Sequence, residues 1–149
     1  MHESHRDSEG GAWKTERGRL RIFIPAPTVI VLQFSGHLEL PMAQHMMDGV
    51  DRLRMNGRPI DAFDDWQGMD SYETDARVAL TDWVRRTRTA FQTLHLLQRS
   101  KAVSMGISVA NLVLGGLLRS HTDRDSFQKA LEEAIAASNA KYKGSARGG

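Results

Sequence analysis

Cysteine is absent from the 149-residue chain, which excludes disulfides, thiolate nucleophiles and cysteine-ligated zinc. The same absence fits a reducing compartment and an expected cytoplasmic location. The common enzyme signatures are missing as well: there is no P-loop, no G-x-G-x-x-G, no G-x-S-x-G and no H-E-x-x-H. The expectation is therefore a protein that is not an enzyme and uses no cofactor and no metal. Charge of one sign is scarce: 20 Lys and Arg stand against 18 Asp and Glu, a net charge of +2. A nucleic-acid partner normally demands a more concentrated basic face, so none is expected. The opening stretch MHESHRDSEGGAWKTERG has no apolar core, and no signal peptide is expected in it. One uncharged run, Ala102 to Leu118, has 17 residues, at the lower limit for crossing a bilayer. It includes Ser104, Gly106, Ser108 and Asn111 and reads as a buried helix, without stable membrane insertion.

What is present is the composition of one globular domain, 40% hydrophobic and 26% charged. Residues 1–18 are polar and lack apolar period, which predicts a disordered tail in which only Trp13 docks. Arg19 to Ile24 alternates, and Val29 to Phe34 is a β-branched apolar run; the short Pro25-Ala26-Pro27 link predicts an antiparallel hairpin between them. Ala43, Met46, Met47, Val50 and Leu53 repeat at helical spacing after Pro41, and Asn56-Gly57 closes that helix. Ile60 to Asp64 is the third strand. A loop with Asp65, Trp66 and Met69 follows, and a helix is expected to open near Asp70, Ser71 and Tyr72. Leu94 to Leu97 is a fourth strand, the apolar run a third helix, Leu117 to His121 a short edge strand, and Thr122 with Asp125 starts a last helix. The order predicts an α/β fold: a mixed, mainly parallel sheet of four or five strands flanked by about four helices, over residues 19–137. Residues 138–149 are expected to form a flexible basic tail.

The element order, the stretch IDAFDDWQGMDSYETDAR, and HLLQRSKAVSMGISVANLVLGG followed by HTDRDSFQKAL together resemble the STAS family, in particular its stand-alone bacterial SpoIIAA-like members. The resemblance covers residues 20–136. It implies a regulatory domain that binds another protein, a kinase or regulator among the options, and that is switched by phosphorylation of a Ser or Thr at the start of the helix after the third strand. Asp70-Ser71 matches the first half of the family's Asp-Ser-Ser/Thr-Gly motif, whereas Tyr72-Glu73 replaces the second. Ser71 and Thr74 are thus the candidate phosphoacceptors, with Asp65, Trp66, Met69, Asp70, Tyr72 and Arg77 as the candidate partner-binding patch. Homodimerisation is a further option. Some related proteins are likened to lipid-carrying CRAL-TRIO domains, and the matching alternative here is a carrier with an apolar pocket beside residues 102–118.

The same residues have plainer readings. Ser71 and Asp70 can simply cap a helix, a role worth about 1 kcal/mol. Asp64-Asp65 at a strand end could hold Mg²⁺, but no third acidic ligand accompanies the pair in the sequence. His37, Asp65 and Ser71 can be drawn as a hydrolytic set across the carboxyl rim of the sheet. Trp66, Met69 and Tyr72 are either interface anchors or a cover for the end of the core.

Overall fold

The computed structural model describes residues 3–5 and 11–143. Its centre is one sheet of seven strands whose spatial order is their chain order. The strands are β1 (Glu3–His5), β2 (Gly11–Lys14), β3 (Gly18–Ala26), β4 (Val29–Leu38), β5 (Ile60–Tyr72), β6 (Phe91–Leu97) and β7 (Leu118–His121). Neighbours from β1 to β4 are antiparallel, and those from β4 to β7 are parallel. Three crossover helices join the parallel strands: α1 (Leu40–Arg54), α2 (Thr74–Thr87) and α3 (Lys101–Val113). The last helix, α4 (Arg124–Ser138), follows β7. This is the mixed α/β architecture that the alternation of apolar strands and amphipathic helices predicts.

Side-chain alternation sorts the sheet into two unequal faces. Leu20, Ile22, Ile30, Leu32, Ala62 and Leu96 pack into the large cluster with α1, α2 and α3. On the other face, Val29, Phe63 and Leu97 meet Phe127 and Leu131 of α4 in a much smaller cluster. One face thus carries three helices and the other a single helix, which leaves part of the second face bare.

Two expectations change here. The tail expected over residues 1–18 contributes strands: β2 pairs with β3, and Trp13 stacks on His45 of α1 with ring centroids 4.8 Å apart. An aromatic anchor and a free edge of β3 hold this segment despite its polar composition. At the other end, α4 reaches Ser138, whose buried hydroxyl shares a 2.8 Å hydrogen bond with Thr28. A wider helical turn, Asn139–Lys143, follows, and the remainder of the expected C-terminal tail lies outside the described residues.

The larger change concerns the stretch after Asp64. Where a loop is expected, β5 continues for 13 residues to Tyr72. It can do so because β4 is also long, and the two pair as far as Leu38 opposite Tyr72, with register shifts at Gln33/Ser35 and at Gly36/His37. Gly36 has φ of +98°, and a Cβ there would lie 2.2 Å from the Arg17 carbonyl oxygen. Glycine is the residue such a bulge requires.

Candidate functional site

Because the expected loop after Asp64 is strand, the side chains of β5 alternate between the two faces up to the first register shift. Asp64 and Trp66 point to the three-helix side, and Asp65 points to the α4 side. Consecutive strand residues diverge in this way, so Asp64 and Asp65 cannot clasp one cation between them. Asp65 is 6% exposed. Its Oδ1 accepts a hydrogen bond from Arg124 Nη2 at 2.9 Å. Trp66 is 9% exposed and Met69 2%, both in the large cluster. Of the two readings open for them, core cover is the one found, and they are not surface anchors. Asp70 is exposed, and Tyr72 is half-buried with its hydroxyl donating to the Ala102 carbonyl at 3.4 Å.

The helix expected at Asp70 starts at Thr74, with Glu73 at its N-cap. Glu73 is held extended by its amide, which donates to the Leu38 carbonyl at 2.9 Å, and its Oε1 accepts from the Leu40 amide at 2.8 Å. The Glu73 carboxylate thus serves one N-terminal amide of α1, that of Leu40, while α2 is left without a side-chain cap. Thr74 is exposed at the first position of α2, and Ser71 stays in the strand. Ser71 Oγ shares a 2.7 Å hydrogen bond with His37 Nδ1. Two members of the imagined hydrolytic set therefore meet, whereas the third, Asp65, is paired with Arg124 instead.

Three features could support a function. The first is an apolar cavity of about 90 Å³ under α1, α2 and α3, lined by Trp66, Met69, Tyr72, Trp83, Ile107 and Leu114 among others, with Arg77 and Thr81 at its border. Its one carboxyl is Asp64, which lies in register between Leu32 and Leu96. Asp64 makes no hydrogen bond or ion pair among the described residues, and burial among these neighbours pushes its carboxyl up to about 8. Withdrawing a carboxyl from water disfavours its charged form, which is the cause of the shift.

The second feature lies under α4. His95 Nδ1 and His121 Nε2 are 3.0 Å apart, and His121 Nδ1 is 2.7 Å from Ser126 Oγ. His95 also stacks flat on Phe63, with centroids 4.5 Å apart. Burial, then the neighbouring His121 and Arg119, bring His95 down to about 4. His121 is lowered too, chiefly by burial, with Asp123 opposing. Two neutral imidazoles in a hydrogen-bonded chain are a satisfied core pair, the ordinary role for a histidine inside a strand.

The third feature is the outer side of α3. Met105, Val109, Leu112 and Val113 are 70%, 51%, 84% and 54% exposed. Their spacing of 0, 4, 7 and 8 places them along one stripe. The opposite side, Val103, Gly106, Ile107 and Ala110, is buried. The sequence predicts a buried helix here and a contact patch between Asp65 and Arg77, whereas the exposed apolar stripe lies on α3. At 13 residues α3 is short, and no helix among the described residues is long and apolar enough to cross a membrane.

No family profile matches the sequence, and neither does any curated protein. Among solved structures, the chain is similar to an uncharacterized protein of the DUF3478 family from Shewanella loihica PV-4, which has a SpoIIAA-like fold. The match has a TM-score of 0.56 at 14% sequence identity and covers 88% of this chain and 95% of the other. The fold of this chain is SpoIIAA-like, as the resemblance implied.

Proposed function

We propose that this chain is a non-catalytic regulatory module that binds another protein through the outer stripe of α3. The observation that carries the reading is the exposure of four large apolar residues, Met105, Val109, Leu112 and Val113, on one helix, where α1 exposes only Leu40 and α2 only Val78. Contiguous apolar surface rimmed by polar residues is characteristic of protein contact sites. Val78 of the neighbouring α2, 51% exposed, extends the same character. The partner this surface fits presents an apolar patch of its own. A switch by phosphorylation would act at Thr74, which is exposed at the start of α2, in preference to the half-buried Ser71.

The test replaces Met105 and Leu112 together by glutamate. Affinity purification from the source cells should lose the partner recovered by the parent chain. The melting temperature should change little, because exposed substitutions typically stay within about 0.5 kcal/mol each. An unchanged set of recovered proteins would refute the stripe as the contact surface. Sedimentation of the purified chain separates a heterologous partner from a second copy.

A carrier role is the second reading, and the cavity beside Asp64 favours it. Its size weighs against a lipid. A void of roughly 150 Å³ is the scale that takes up one benzene, and the cavity here is about 90 Å³. An acyl chain would require α3 to move. Native mass spectrometry of freshly purified protein distinguishes the two: a co-purifying apolar ligand supports the carrier, and a bare mass supports the module.

A further inference from the structure

We infer that the bare part of the sheet beside α4 is a binding site for a small phosphate-bearing anion. Because α4 alone covers that face, the carboxyl halves of β4 and β5 and the adjoining part of β3 stay open there. The pleat lines up their outward residues in rows: Arg21 opposite Gln33 opposite Asp65, and Arg19 opposite Ser35 opposite Gly68. Arg124 reaches in from the start of α4 and Arg99 from the segment after β6, enclosing a concavity of about 380 Å³. Small-molecule sites typically measure about 300–1,000 Å³.

The charge is what selects an anion. Four guanidinium groups line the concavity against one carboxylate, Asp65, in a chain whose net charge is only +2. That carboxylate is already engaged by Arg124, which also donates to Gln67 Oε1 from Nε at 3.1 Å and from Nη2 at 2.7 Å. Arg124 is therefore held in place by two acceptors. Arg19 and Arg99 are exposed and make no hydrogen bond or ion pair among the described residues. Guanidinium forks match the oxygens of a phosphate two at a time, and Gln33 and Ser35 add neutral donors on the floor between them. The site owes nothing to the α3 stripe, so either can fail alone.

The probe is inorganic pyrophosphate, titrated calorimetrically into the full chain, with amide chemical shifts recorded in parallel. Binding is expected to weaken with salt and to shift the amides of residues 19–21, 33–35 and 65–68. Arg19→Gln with Arg99→Gln should lower affinity about tenfold or more, since a charge-assisted hydrogen bond contributes roughly 1.5–3 kcal/mol. Arg99→Gln alone, outside any strand, guards against misfolding of the double variant and should weaken binding in the same direction. Arg85→Gln with Arg86→Gln on α2 should leave affinity unchanged. Absence of binding, shifts centred on α2, or equal loss in the α2 variant would overturn the site. Flotation with phosphatidylcholine vesicles, with and without phosphatidic acid, then assigns the source. Co-flotation lost in Arg99→Gln makes the ligand a lipid headgroup, and no flotation makes it a soluble anion.

Discussion

Replacing Asp64 by asparagine is expected to make the protein more stable at pH 8 and to remove most of the dependence of its stability on pH above neutrality. The carboxyl sits in register between Leu32 and Leu96, faces the apolar cavity, and is pushed up to about 8 from an ordinary 3.8. A folded-state value raised above the unfolded one means that the native protein holds the proton more tightly. Its contribution to stability is fully present below the unfolded value and is lost as pH rises through the folded one. Each pH unit in that window is worth about 1.4 kcal/mol for one group. Between pH 6.5 and 8 the parent should therefore lose roughly 1.5 kcal/mol, while the asparagine variant, with nothing to ionise, stays level. Urea unfolding at several pH values reads this directly. A parent that is equally stable at both ends of the range would mean that Asp64 is in contact with water.

Phe63→Ala should cost about 3–5 kcal/mol, the usual range for emptying a phenylalanine site in a core. The ring is fully buried in the small cluster, lies flat on His95, and meets the edge of Phe127 with centroids 5.6 Å apart. With few other apolar residues joining α4 to the sheet, the void has little around it that can collapse. A second signature follows from His95, which burial brings to about 4 from 6.5. A depressed folded value gives stability that is present above the unfolded value and lost as pH falls toward the folded one. In the parent this loss below pH 6.5 runs against the gain from Asp64, and the two nearly offset. In Asp64→Asn it is unmasked, at roughly 3 kcal/mol in full. Adding Phe63→Ala should make that acid limb shallower, because the imidazole regains water. An acid limb of unchanged steepness would show that the ring does not shield His95.

The architecture was legible because its elements obey simple periods. Val29 to Phe34 is a β-branched run, Phe127, Leu131 and Ile135 recur at helical spacing, and Pro41 with Asn56-Gly57 brackets α1. The misreading from Asp65 to Tyr72 also has a physical cause. Asp, Gly and Ser are poor strand formers on local propensity, yet β4 offers a partner along the whole stretch, and two register shifts accommodate Gly36 and Gly68. Tertiary pairing overrides the local preference, moves Trp66 and Met69 into the core, and delays α2 to Thr74. The hydropathy of the stretch gives no clean period of two, since the row Asp61, Phe63 and Asp65 and the row Ala62, Asp64 and Trp66 each mix apolar and charged residues. The rows of Arg19, Arg21, Gln33 and Ser35 could not be read at all without the register. Residues that are far apart in the chain become neighbours only when the strands pair.

Unequal coverage of the sheet has a kinetic consequence. The chain's last helix is moored by Phe127, Leu131 and the Thr28–Ser138 hydroxyl pair, whereas α1, α2 and α3 share one large cluster. Proteins open in cooperative units, the least anchored first. Amide protons of α4 should therefore exchange with solvent well before those of α1, through detachment of a C-terminal flap from a sheet that stays intact.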